Sequence, residues 1–197
     1  DREVFALLRS LSDVILVGAG TARAERYRPV RPHEVDVALR RQLRLGPVPP
    51  LAVVSGRLDL PDHLLDAGEG APRTIVVTTA AAPADRRDRI AERAEVVVAG
   101  DRTLDLGVLM RSLAERGLTR VLAEGGPSLA AALAAGGHLD DLCLTLRAQL
   151  VAGDGARVLH GDAMVPGLEL DLGHVLADGS DLFLRWTTAD QSTTERS

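Results

Sequence analysis

Five short apolar runs set the terms on which this chain can fold. They are "VILVG" at 14–18, "LAVVSG" at 51–56, "TIVVTT" at 74–79, "AEVVVAG" at 94–100 and "RVLAEGG" at 120–126. Each is too short for a helix and too uniformly apolar for a strand with one wet face. Between them lie helix-like stretches at 34–44, 83–93 and 105–116, the last with Leu106, Leu109, Met110 and Leu113 aligned. That alternation predicts a parallel sheet covered by helices. "PSLAAALAA" at 127–135 then reads as a helix, with Pro127 suited to its first turn.

Beyond this helix the pattern changes. "DLCLTLRAQLV" at 141–151, "GLELDLGHVLAD" at 167–178 and "SDLFLRWTT" at 180–188 alternate like strands, and "ADGSD" reads as a hairpin turn. The predicted fold is α/β, with a mixed, mostly parallel central sheet closed by C-terminal antiparallel strands. No internal repeat or linker divides the chain, so 1–188 reads as one domain and 189–197 as a disordered tail. At the other end, "REVFALLRSL" at 2–11 places Val4, Leu7, Leu8 and Leu11 on one helical face, with Asp1 as the expected cap.

Composition removes several functions. A net charge of −5 over 197 residues argues against a general nucleic-acid binder. Every strongly basic side chain is Arg; without Lys, lysine nucleophiles and Schiff-base chemistry fall away. The lone Cys143 excludes an internal disulfide framework and a cysteine-based zinc site, and its apolar setting reads as core. The five histidines show no metal-ligand spacing and read as surface residues, so no metal is expected. No apolar run approaches the length of a membrane helix and no signal peptide is visible, which makes a cytoplasmic protein the default expectation.

Two glycine turns carry the chemistry. Gly18-Ala19-Gly20-Thr21 and Glu124-Gly125-Gly126-Pro127-Ser128 each follow a buried strand and precede a helix. Such points offer unpaired N–H groups and a helix dipole, and glycine lets a phosphate approach the backbone. The first turn is not a dinucleotide fingerprint, because Arg23 stands where the third glycine belongs. Two turns on neighbouring strand ends are suited to a pyrophosphate, with Thr21 and Ser128 as hydroxyl donors. Arg23 suits a phosphate monoester such as the 2′-phosphate of NADP, or is a solvent-facing helix residue. Glu124 either turns away toward sugar or base hydroxyls, or is an acid stabilised at a helix N-terminus.

These motifs bring a family into view. "DVILVGAGTARAERY" with "VRP", and above all "EGGPSLAAALAAGGHLDDLCLTL", resemble the pyrimidine reductase domain of riboflavin biosynthesis, which is similar in fold to dihydrofolate reductase. The resemblance runs from Asp1 to about Trp186. It implies a dihydrofolate-reductase-like three-layer sandwich, an NADPH cofactor and a homodimer. It implies hydride transfer to the ring-opened ribosyl imine or carbonyl of 5-amino-6-(5-phosphoribosylamino)uracil or a related small substrate. By the same resemblance Gly18, Gly20, Thr21, Arg23, Ser55, Thr78, Thr79, Gly125, Gly126, Ser128 and Leu129 fall on the cofactor. Glu124 and Glu25 fall on the substrate side, and no general acid stands out.

Three departures bear on the substrate. The family usually opens with a strand and a "DG"-containing loop ahead of the 2–11 helix. It typically carries Asp-Asp-Pro where this chain has Glu25-Arg26-Tyr27. These 197 residues carry no deaminase domain with its zinc ligands, so a reductase alone is expected. A dihydrofolate or pterin reductase, and a non-catalytic nucleotide-binding protein, are the competing expectations.

Overall fold

A computed structural model describes residues 1–155 and 157–188. The chain opens with helix α1 (Arg2–Leu11) and enters strand β1 (Val14–Gly18). Helices α2 (Ala19–Ala24) and α3 (Val37–Gln42) lead to β2 (Leu51–Val54). Then come β3 (Ile75–Thr78), α4 (Ala84–Ala91), β4 (Glu95–Val98), α5 (Leu106–Ala114), β5 (Val121–Ala123) and α6 (Pro127–Ala135). Strands β6 (Asp141–Leu146), β7 (Leu170–Asp178) and β8 (Asp181–Thr188) complete the described elements.

The five apolar runs form one parallel sheet in the order β4-β3-β2-β1-β5. Both of its faces are covered, which is why β1 reads as an unbroken apolar run. Val14 and Leu16 point into a core with Leu109, Leu113, Leu129 and Leu133 of α5 and α6. Ile15 and Val17 point the other way, toward Ala22 of α2, Val30, Val35 and Leu64. Val76 meets Ile90 of α4. The result is the α/β sandwich, helices on both sides of a parallel sheet.

The C-terminal strands pair among themselves as a second, antiparallel sheet, β6-β8-β7. The β7–β8 hairpin turns at Gly179, whose φ of +60° few other residues adopt. Strand β6 ends at Leu146, opposite Leu182, rather than running on to residue 151, because the hairpin turns there and offers no further partner. Register gives this sheet two unlike faces. Leu142, Trp186 and Leu172 share a rung on one face, followed by Leu144, Leu184 and Val175, then Leu146, Leu182 and Ala177. The opposite face carries Asp141, Thr187 and Asp171, then Cys143, Arg185 and His174.

Three local expectations are corrected. Cys143 is exposed on that polar face rather than packed in the core; burial and Asp141 still push its thiol up, against the opposing pull of Arg185. Asp1 does not cap α1 with its side chain, because its carboxylate instead accepts the Thr145 hydroxyl (2.8 Å). His63 is half-buried, with Nε2 out of solvent and without a hydrogen-bond partner among the described residues.

Candidate functional site

Strand order locates the site. The chain leaves β1 through α2 and α3 toward β2 on one side, while β5, reached through α5, pairs with β1 on the other. The order therefore reverses between β1 and β5. In open parallel sheets, ligands bind in the crevice outside the carboxyl ends of the strands at such a reversal. Both glycine turns lie there: Gly18 ends β1, and Gly125-Gly126 follows β5.

The turns are joined, not merely adjacent. Gly18 N–H donates to the Gly125 carbonyl (2.8 Å), and Glu124 N–H to the Leu16 carbonyl (2.9 Å). Gly126 is required by its neighbour: Thr21 Oγ1 stands where a Cβ at Gly126 would need to be. Gly125 has φ +108°, outside the range most side chains tolerate. The nine-residue helix α6 has Gly126 as its N-cap, which carries no side chain, and Pro127 as its first residue. Ser128 is exposed at this end, while Leu129 packs into the core. Gly20 lies inside α2 and is exposed, and a Cβ there would meet nothing within 4 Å.

The neighbouring strand ends supply hydroxyls. Ser55, after β2, accepts Leu58 N–H on Oγ (3.0 Å). Thr78 ends β3, and its Oγ1 is buried without a hydrogen-bond partner among the described residues. Such a group costs about 1–3 kcal/mol until something satisfies it. Thr79 is buried beside it. Arg23 reaches from α2 across to the loop after β2, where Nη1 donates to the Asp59 carbonyl (2.8 Å). Arg86 reaches the same loop from α4, donating to the Arg57 carbonyl (3.0 Å). Arg23 and Arg86 thus both reach the segment after Ser55, which carries Arg57 and Asp59.

Charge is arranged differently at the β5 side. Arg9, in the last turn of α1, grips both oxygens of Glu124: Nε to Oε1 and Nη2 to Oε2, each 2.7 Å. Its Nη1 donates to Glu34 Oε1 (3.0 Å), and its guanidinium lies 4.5 Å from the Phe5 ring centroid. The Glu124 side chain is only 2% exposed. Tyr27 closes the cluster. Burial raises its phenol well above the ordinary range, and the negative charge of the Glu124 carboxylate adds to that rise. Glu25 is exposed at the end of α2 and acts on Tyr27 as a second negative charge.

The structure thus brings Gly18, Thr21, Gly125 and Gly126 together, with Ser128 at the adjoining helix end. Ser55, Thr78, Thr79 and Arg23 line the adjacent strand ends. Glu124 is held in an ion pair rather than standing free. Arg9, Glu34 and Tyr27 are missed by sequence reasoning; only the position of Tyr27 within the departing Glu25-Arg26-Tyr27 stretch hints at it. Among the described residues no group of three or more His, Cys, Asp or Glu side chains is placed to hold a metal. No helix there is long and apolar enough to cross a membrane.

Comparison with known proteins identifies the family. The RibD C-terminal domain family matches residues 1–184. A 2,5-diamino-6-ribosylamino-4(3H)-pyrimidinone 5′-phosphate reductase of Methanothermobacter thermautotrophicus is 33% identical over 184 residues, covering 91% of this chain and 82% of that protein. One of the same name from Aquifex aeolicus is 32% identical over 133 residues, covering 66% of this chain and 55% of that protein. Among solved structures, a pyrimidine reductase-like protein of Corynebacterium diphtheriae aligns with a TM-score of 0.73 at 25% identity, covering 93% of this chain and 78% of the other. The riboflavin biosynthesis reductase Rib7 of Saccharomyces cerevisiae shares the fold, with a TM-score of 0.68 at 17% identity over 95% of this chain and 80% of the other.

Proposed function

The chain belongs to the RibD C-terminal domain family, and from that premise we propose that it is an NADPH-dependent reductase of a ribosylamino-pyrimidine phosphate. One observation carries the reading: the two glycine turns interlock at the point where strand order reverses. The name of the relatives favours 2,5-diamino-6-ribosylamino-4(3H)-pyrimidinone 5′-phosphate as the substrate, with 5-amino-6-(5-phosphoribosylamino)uracil as the second candidate.

The residues present fit the cofactor. The N-terminal end of α6, whose N-cap Gly126 carries no side chain, offers N–H groups to the pyrophosphate beside the interlocked Gly18 and Gly125 turns. Thr21 and Ser128 stand beside it with hydroxyls. The orphaned Thr78 hydroxyl and the Ser55 loop mark the adenosine side. Arg23, with Arg57 and Arg86, gives that side the positive charge a 2′-phosphate needs. NADPH, when bound, supplies the hydride to the ring-opened sugar carbon. The protein's part is to hold both partners in line and exclude water, which by itself accounts for a large share of such rate enhancements. Tyr27 and Glu25 are assigned to the substrate side, and the raised Tyr27 phenol stays protonated there.

The apolar face of the β6-β8-β7 sheet is the surface we assign to a homodimer contact. Leu146 is 51% and Leu172 57% exposed there, and its nine side chains carry no charge to oppose an identical face.

Calorimetric titration with NADPH and with NADH tests the cofactor reading, repeated on Arg23→Ala. NADPH is expected to bind at least tenfold more tightly than NADH, and the variant to lose most of that preference. Equal affinity for the two in the unaltered protein overturns the 2′-phosphate assignment.

A further inference from the structure

An anion-binding turn preceded by a buried carboxylate poses an electrostatic problem. Glu124 immediately precedes Gly125-Gly126, with its side chain almost wholly out of solvent. The groups facing it are Arg9 from α1, Glu34 from the 3-10 turn at Pro32–Glu34, and the Tyr27 hydroxyl from the segment after α2. Glu25 lies beyond Tyr27. Arg9 is the one cation in this set, against Glu124, Glu34 and Glu25. Without it, uncompensated negative charge would stand beside the turn that is to receive two phosphates. Like charges in partly buried surroundings repel far more strongly than in water.

The contacts of Arg9 suit it to that problem. Its Nε and Nη2 take both Glu124 oxygens in parallel, so the carboxylate is turned toward α1 and both oxygens are occupied. Its third bond, to Glu34, and its stacking on Phe5 fix the guanidinium in place. The ring of Tyr27 lies 6.0 Å from it on another side.

We propose that Arg9 is a positioning residue of the cofactor site, cancelling the charge of Glu124 and holding its carboxylate toward α1 so that the Gly125-Gly126 turn can accept phosphates. This rests on the NADPH reading above. It explains how an acid can sit directly before an anion-binding turn, and it gives α1 a part in cofactor affinity although Arg9 lies 115 residues from Glu124 in sequence.

The test is NADPH titration of the unaltered protein, Arg9→Lys, Arg9→Met and the double variant Arg9→Met/Glu124→Gln, with the melting temperature of each. Arg9→Met leaves Glu124 buried and uncompensated, and its Kd for NADPH is expected to rise at least about tenfold. Arg9→Lys keeps the charge but loses the paired bonds, and is expected to stay within about threefold. The double variant removes both charges and is expected to return to within about threefold of the unaltered protein. A mere brace between α1 and β5 would lower the melting temperature of Arg9→Met and leave its Kd within about twofold; that result overturns the inference. If Arg9→Met does not fold, the double variant decides, and a Kd for it about tenfold weaker than the unaltered protein overturns the inference as well. Absence of NADPH binding in the unaltered protein would overturn the cofactor reading itself, a failure visible in that arm alone.

Discussion

Asp13 enters the sheet with its carboxylate turned toward the neighbouring strand. Oδ2 accepts the backbone N–H groups of Thr119 (3.1 Å) and Arg120 (2.7 Å), and Oδ1 accepts Arg120 Nη2 (3.0 Å). Burial pushes its pKa up, but the hydrogen bonds and charge of Arg120 outweigh it, and the net shift is downward. A carboxylate with a lowered folded-state pKa stabilises the protein above the unfolded value, near pH 4. That contribution is lost as pH falls through the folded value. Asp13→Asn should therefore cost about 1–3 kcal/mol at neutral pH, with the gap to the unaltered protein closing in acid. Urea unfolding at both pH values measures this, and a gap of the same size in acid would contradict the account.

Arg40 makes a second residue-scale case. It is 2% exposed, and its guanidinium donates to the carbonyls of Ser12 and Gly46 (2.7 Å each) and of Arg9 and Ser10 (3.2 Å each). It thereby satisfies the C-terminal end of α1, where a cation is favoured. Helix α1 carries Arg9, so Arg40 supports the proposed site from behind. Arg40→Met should destabilise by about 3 kcal/mol, because several buried carbonyls lose their donor together. Calorimetric melting would show it, and a change within about 0.5 kcal/mol, typical of surface positions, would refute it.

At the scale of elements, the two turns must fit one another. The hydroxyl of Thr21 in α2 fills the space that Gly126 leaves open before α6. Gly126→Ala should therefore cost about 1–3 kcal/mol through overpacking, and weaken NADPH binding with it. Adding Thr21→Ala removes the obstructing hydroxyl, and the double variant should regain most of the stability. Additive losses in the double variant, read from denaturant unfolding, would show that the two residues do not meet.

What the sequence makes legible at this scale follows from period and turn chemistry. The parallel strands are plain because burial on both faces leaves β1, β2 and β3 almost uniformly apolar, and the glycine turns because they follow β1 and β5. Contacts between elements distant in sequence are not encoded in local pattern. Arg9 reads as one more charge on an amphipathic helix until the fold sets it against Glu124. Arg40 reads as a solvent-facing member of "LRRQLR" until the end of α1 closes over it. Cys143 misleads for a related reason. Strand β6 is apolar on alternate positions only, and the cysteine falls on the polar side.

At the scale of the whole molecule, the second sheet stands apart. Among the described residues, its apolar rungs leave Leu146, Leu172, Val175 and Leu182 exposed, while Leu142, Leu144, Leu184 and Trp186 are half-buried. The homodimer assigned to this face should dissociate in Leu172→Glu/Leu182→Glu, as read by sedimentation equilibrium. A monomeric unaltered protein at micromolar concentration, or a dimer insensitive to both charges, would remove this face from consideration. The tail expected to be disordered, 189–197, lies outside the described residues.

The switch-point turns are proposed to serve the reduction of a ribosylamino-pyrimidine phosphate. The direct measurement is mass analysis of the pyrimidine after incubation with NADPH and the enzyme, using the diaminopyrimidinone and the aminouracil phosphates in turn. The account predicts a ribityl product two hydrogens heavier than the substrate from one of them, formed in step with loss of reduced nicotinamide absorbance. Saturable NADPH binding with neither pyrimidine reduced would contradict it, and would leave a protein that keeps the nucleotide site without this chemistry.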